Sequence, residues 1–254
     1  MRIDLNADVG ESYGAWTMGH DEALLPFVTS ANVACGAHAG DPLVIQRTIA
    51  LAAAAGAAIG AHPGYPDRDG FGRRDLAMAP DELEASLVYQ ISAVAGFARD
   101  AGVELRHVKP HGALYNRAAS DPAVAESIAR AVRRCSTGFM LVGLAGSVLL
   151  DAGRAAGLEA VGEAFADRVY EADGSLRSRR LPGAVLADPA AAAAQAVAIA
   201  RDGRVGSYDG GTVPVAAETL CLHGDTPNAA AYAQAIREAL QAAEVEVRPF
   251  GLRG

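Results

Sequence analysis

Lysine is almost missing from this chain: its 254 residues hold 21 arginines and one lysine, Lys109. Drift in a GC-rich genome accounts for an arginine bias. An ammonium kept in one place still differs from a guanidinium in shape, hydration and readiness to lose its proton. Aromatic residues are also scarce, at 6 %, with a single Trp. A core rich in Ala and Gly suits tight packing of helices on a sheet better than an aromatic-filled sandwich. The three cysteines, Cys35, Cys135 and Cys221, are odd in number and widely spaced. That excludes a disulfide framework and a Cys-x-x-Cys site, and it fits a reducing cytoplasm. No basic run offsets the net charge of −8, which argues against a nucleic-acid partner. The longest apolar stretch, residues 49–61, is broken by Gly56 and Gly60 and is too short to span a bilayer. Arg2 and Asp4 put charge at the very start, so no secretory segment is expected. Neither Gly-x-Gly-x-x-Gly after a strand nor Gly-x-x-x-x-Gly-Lys-[Ser/Thr] occurs, which leaves dinucleotide binding and a phosphate loop of that kind without support.

What is present alternates short apolar strands with helical stretches. Residues 2–8 set Ile3, Leu5 and Ala7 against Asp4, Asn6 and Asp8 with a period of two, predicting a strand. Further strands are predicted over residues 29–34, 57–61, 105–109, 138–144, 158–163 and 219–223, with a terminal one at 245–248. Asp41-Pro42 opens a helix that ends near Ala55, with Asp at the cap and Pro in the first turn. Pro80 opens another, closed by Gly102. Helices are also expected over 121–133, from the fifth strand to about 156, over 188–201 and over 227–243. Two inserts, 169–180 and 204–215, carry Asp-Gly turn signals and read as β-hairpins. The length is close to the roughly 250 residues of one (β/α) barrel. Strands alternating with helices predict an α/β fold with a parallel sheet. Seven such units without repeat or linker predict one domain, 1–254, closed as an irregular seven-stranded (β/α) barrel; an open sheet is the alternative.

The polar residues fall in a pattern. Asp8 and Glu11 follow the first strand, His38 and Asp41 the second, His62 the third. Lys109 and His111 end the fourth; Glu163, Asp167 and Arg168 follow the sixth; His223 and Asp225 the seventh. In a (β/α) barrel all these positions meet at the C-terminal face, where such enzymes keep their active sites. Any one alone could simply cap the next helix, and capping is the preferred reading for Asp41. Asp8, His38 and His62 together make a candidate divalent-metal set, for zinc or manganese; a hydrogen-bonded polar floor is the competing reading. Arg73 and Arg74, flanked by Gly70 and Gly72, can grip a carboxylate or phosphate, or else pair with Asp67, Asp69 or Asp75. Cys35 and Cys221 read as small core residues. His107 shares a strand face with Lys109 and is a minor candidate.

Seven blocks, in order over nearly the whole chain, resemble the signature blocks of the LamB/YcsF family. They are residues 4–11 (DLNADVGE), 32–42 (NVACGAHAGDP), 60–63 (GAHP), 70–74 (GFGRR), 108–116 (VKPHGALYN), 163–168 (EAFADR) and 221–227 (CLHGDTP). Ser12 is a mild departure, at a place where Gly is common in the family. The resemblance implies a barrel of the glycoside hydrolase/deacetylase group. It implies a role in a cytoplasmic, multisubunit prokaryotic 5-oxoprolinase, in which this chain acts with subunits B and C to open the lactam of 5-oxoproline to glutamate at the expense of ATP. Expected cofactors are ATP and a divalent metal, either Mg with the ATP or Zn or Mn at the barrel mouth. Such a reaction needs cations for phosphate and a developing oxyanion, and an acid/base pair for water and the leaving nitrogen. Lys109, Arg73 and Arg74 can serve the first need; His111, His223, Asp8 and Glu11 the second. Asn6, Asn32, Asp167, Arg168 and Asp225, all within the blocks, stand with the two arginines as candidate substrate contacts. The alternatives are a metal-dependent hydrolase of the carbohydrate deacetylase type and a non-catalytic binding subunit. With Lys109 read as an exposed residue of the barrel mouth, Lys109→Arg is expected to lose most activity while the protein stays folded.

Overall fold

The computed structural model describes residues 1–179, 181–223 and 228–251, the side chain of His223 excepted. The strands are β1 (Arg2–Val9), β2 (Ser30–Ala34), β3 (Ala58–His62), β4 (Leu105–Val108), β5 (Met140–Leu144), β6 (Glu159–Phe165), β7 (Arg204–Gly206), β8 (Thr212–Pro214), β9 (Thr219–His223) and β10 (Glu246–Val247). The helices are α1 (Asp21–Leu24), α2 (Pro42–Ala54), α3 (Pro80–Asp100), α4 (Gly112–Ala118), α5 (Pro122–Cys135), α6 (Val148–Ala155), α7 (Pro189–Asp202) and α8 (Ala229–Ala242). Three of them start with the same dipeptide. Asp41, Asp121 and Asp188 accept from first-turn amides of α2, α5 and α7, and a proline follows each at the first helical position. The aspartate satisfies donors that the helix cannot, and the proline gives up no bond there.

β1 pairs in parallel with β2, placing Asn6 opposite Ser30 and Asp8 opposite Asn32. It also pairs in parallel with β9, placing Asp4 opposite Thr219 and Asp8 opposite His223. The order β1-β2-β3-β4-β5-β6-β9 therefore closes on itself, giving the seven-stranded parallel barrel that the alternation predicts. β10 adds beside β1 at Arg2 and Ile3. Among the described residues, no helix is long and apolar enough to cross a membrane.

Every residue of β1 after Arg2 is buried, because helices cover the outside and side chains fill the inside. Ile3, Leu5, Ala7 and Val9 belong to the main apolar core with Ile45 and Ile49 of α2, Leu87 and Ile91 of α3 and Ile236 of α8. Asp4, Asn6 and Asp8 face inward. Barrel interiors are usually filled with branched apolar residues; on this side the filling is polar. Opposite, Met140, Val142 and Val161 of β5 and β6 make an apolar patch with Phe250.

Both inserts fold back as expected. The one at 204–215 forms the antiparallel β7–β8 hairpin; the one at 169–180 forms a minimal hairpin, with Tyr170 bridged antiparallel to Leu176, Glu171 N donating to Ser175 O and Arg177 N to Val169 O. The Tyr170 ring is buried and its hydroxyl accepts from Phe165 N. One element differs from expectation. α4 has no counterpart in the sequence pattern; at 7 residues it is too short to show an apolar period.

Candidate active site

The strand ends deliver Asp8, Glu11, His62, Lys109 and His111 to the wall of a cavity of about 1,050 Å³, with Arg73 on its rim. Beneath lies a polar floor. Asn32 Nδ2 donates to Asn6 Oδ1 at 2.7 Å and to Asp8 Oδ1 at 2.9 Å. Asn6 Nδ2 donates to Glu163 Oε1 at 3.0 Å and to Thr219 Oγ1 at 2.6 Å. His107 Nε2 donates to Asn32 Oδ1 at 2.7 Å. Gly60 makes room for that ring: a Cβ there would overlap His107 Nε2. Burial pushes the His107 pKa down to about 3, helped by the Lys109 charge. Asn6, Asn32 and His107 are thus buried below the cavity and bonded to the protein. The side-chain donors and acceptors of Asn6 and Asn32, expected as substrate contacts, are taken up within this floor.

Deeper still, Asp4 accepts from Thr29, Ser30 and Thr219 hydroxyls. Burial raises its pKa to about 6 against those hydrogen bonds, with Glu163 adding like-charge repulsion.

Lys109 stands between floor and cavity. Its Nζ lies 2.9 Å from Asp8 Oδ1, 2.8 Å from Glu163 Oε1 and 3.0 Å from Cys221 Sγ. Only 2 % of Lys109 is exposed, which corrects the expectation of an exposed residue. Burial works against its charge, but Asp8, Cys221 and Glu163 outweigh it and hold the pKa well above the usual lysine value. The one lysine is a buried cation shared by two carboxylates. Removing either side would leave an uncompensated charge.

Above it, three imidazoles meet. His62 Nε2 is 3.3 Å from Asp8 Oδ2. His111 Nδ1 is 3.0 Å from His62 Nε2 and 3.6 Å from Glu11 Oε1. The His38 ring stacks on His111 with centroids 3.8 Å apart. Burial, followed by the neighbouring His111 and His62, pushes His38 well below the usual range, and burial with His62 pushes His111 down to about 3. Phe71 holds a left-handed conformation at φ 53° and turns its carbonyl to His111 Nε2 at 2.8 Å. Gly72 follows at φ 63°, where a Cβ would press on His111 and His38. The glycine-flanked loop is thereby locked over the histidines.

The arginines divide. Arg73 lies on the cavity rim over the Phe71 ring. Arg74 also lines the cavity, but its guanidinium forms a short ion pair with Asp67, as the surface-loop reading anticipated. Arg168 lines the cavity with its guanidinium tied to the carbonyls of Ala184 and Arg177; burial, with Arg179 nearby, lowers its pKa to about 10. Asp167 is buried off the cavity wall. His223 ends β9 beside Asp8 in the barrel register; its side chain, and all of Asp225, lie outside the described residues. Sequence reasoning gave no role to three groups, Tyr115 and Ser147 on the cavity wall and Glu163 buried beneath it. Glu163 was visible at a strand end. Tyr115, whose phenol is held well above its usual pKa by burial and by Glu163, lies inside the 108–116 block. Ser147 gave no signal; its buried hydroxyl has no partner among the described residues.

The LamB/YcsF family model matches residues 3–253. The chain is 58 % identical over 248 residues to a protein of Chloroflexus aggregans named as the A subunit of 5-oxoprolinase, covering 98 % of both chains. It is similar in structure to the lactam utilization protein of Thermus thermophilus, with a TM-score of 0.94, 50 % identity, and coverage of 98 % of this chain and 100 % of the other. A GH113 β-1,4-mannanase, with a TM-score of 0.50 and 11 % identity over 95 % of this chain and 100 % of that one, shares the barrel fold alone.

Proposed function

The chain belongs to the LamB/YcsF family, and from that premise we propose that it is the A subunit of an ATP-dependent 5-oxoprolinase, opening the lactam of 5-oxoproline to glutamate. The observation that carries this reading is near-full-length similarity to relatives named as the A subunit of 5-oxoprolinase. The cavity suits the chemistry. A lactam amide is a poor electrophile, and phosphoryl transfer to its oxygen supplies a leaving group. Water must then be activated where Asp8, Glu11 and His111 meet, and developing negative charge must be met by a cation such as Arg73 at the rim. Lys109 holds Asp8 and Glu163 in place through direct ion pairs. The sequence offers no phosphate loop of the usual form, and the chain acts in a cytoplasmic complex with the B and C subunits, on which turnover depends.

The test is an assay of 5-oxoproline-dependent ATP hydrolysis and glutamate release, first with the chain alone and then with subunits B and C. Negligible turnover alone and restoration in the complex are expected. Full coupled turnover by the isolated chain would remove the dependence; none in the complex would remove the activity.

A further inference from the structure

The protons around His62 and His111 can be placed without ambiguity, and they leave two lone pairs facing each other. A carbonyl oxygen only accepts a hydrogen bond. His62 Nδ1 lies 2.7 Å from the Lys109 carbonyl, so that nitrogen carries the proton. His111 Nε2 lies 2.8 Å from the Phe71 carbonyl, so there too the proton is fixed. What remains is His62 Nε2 facing His111 Nδ1 at 3.0 Å. In neutral rings both are acceptors, and two acceptors at that distance repel.

An extra proton would satisfy that one pair and nothing else. Asp8 Oδ2 is 3.3 Å from His62 Nε2, and Glu11 Oε1 is 3.6 Å from His111 Nδ1. Both ring nitrogens of His38 are buried without a partner among the described residues, and Glu11, His38 and His111 offer donor atoms within 4.8 Å of one another. Ligand atoms about 2.0–2.2 Å from one cation lie roughly 3–3.5 Å apart, and the neighbouring pairs His62–His111, Asp8–His62 and Glu11–His111, at 3.0, 3.3 and 3.6 Å, come close to that. The far side of each donor is also held. The two rings are fixed by carbonyls, and Asp8 Oδ1 by Lys109 Nζ and Asn32 Nδ2. Metal-binding histidines and carboxylates are oriented in this way.

We propose that His62 Nε2, His111 Nδ1, Asp8 and Glu11, with His38 as a further donor, form a binding site for one divalent transition-metal ion. Mixed imidazole and carboxylate donors suit zinc, cobalt or manganese; calcium and magnesium take oxygen donors. The set revises the expected one: Asp8, His38 and His62 are kept, and His111 and Glu11 join them. A bound ion of this class supplies a Lewis acid that acidifies water. The site stands independently of the 5-oxoproline reading.

The experiment uses the purified full chain, stripped with chelator and titrated with zinc and, separately, cobalt. One equivalent is expected by metal analysis and calorimetry, with visible cobalt absorption and a higher melting temperature on loading. His62→Ala and His111→Ala should each weaken zinc binding by about 100-fold or more and abolish the thermal shift. Should either fail to fold, Glu11→Gln is measured the same way, with a weaker loss expected. No stoichiometric binding of either metal by folded chain would overturn the site, as would binding that these substitutions leave unchanged.

Discussion

Alternate residues of β1 build two unlike regions. Outward, Ile3, Leu5, Ala7 and Val9 pack among aliphatic residues of the surrounding helices. Those contacts are non-directional, and each residue contributes in proportion to the area it removes from water. Inward, Asp4, Asn6 and Asp8 bond to Thr219, Glu163, Asn32 and Lys109. These partners depend on one another, and losing one leaves others buried and unpaired. The outer face tolerates changes of shape at constant volume, whereas the inner face tolerates only changes that keep every charge matched.

The largest effect expected from this contrast is at Lys109. Lys109→Met keeps the length but strips the shared cation from Asp8 and Glu163, and should cost about 3–5 kcal/mol in chemical denaturation as well as activity in the complex. Burial of the site means that Lys109→Arg loses stability too, since a wider guanidinium overpacks a filled site at about 1–3 kcal/mol. A Lys109→Met chain as stable as wild type would erase the distinction between the two faces.

Next comes the outer face. Leu5→Ala should cost about 2–5 kcal/mol, while Leu5→Met should cost under about 1.5 kcal/mol. Equal losses from both, in the same denaturation experiment, would mean that the outer packing is as exacting as the inner.

The smallest effect is a pH dependence. The folded pKa of Asp4, about 6, lies above its unfolded value near 3.9. The native state therefore holds this proton more tightly. Its stabilising contribution is complete below about pH 4 and is lost as pH rises through 6, by about 2–3 kcal/mol. Asp4→Asn removes the dependence. Wild type should lose stability relative to that variant between pH 4 and 7; a flat difference would show that Asp4 is held in its ionised form.

Much of the fold was legible because its signals are local. A period of two marked β1, and Asp41-Pro42 marked the start of α2. The ordering of strands and helices implied a barrel, and a barrel gathers the residues after its strands. That chain of reasoning brought Asp8, His62, Lys109 and His111 together, and their side chains do converge. α4 escaped because one short helix has no period. The Asp-Gly turns at 169–180 and 204–215 were legible too, and both segments fold back on themselves.

The sequence by itself determined most of the elements, their order and the strand ends where the ionisable groups collect, since these follow from spacing along the chain; that the sheet closes was decided by the pairing of β1 with β9. Only the tertiary structure decided which face of β1 turns inward, that Asn6 and Asn32 form a floor, that Arg74 is taken by Asp67, and that the lone lysine is buried between two carboxylates. It also decided the proton positions of His62 and His111, which are fixed by the carbonyls of Lys109 and Phe71. Those carbonyls come from other segments of the chain, and a hydrogen bond depends on distance and direction in space, which a period or a motif does not encode.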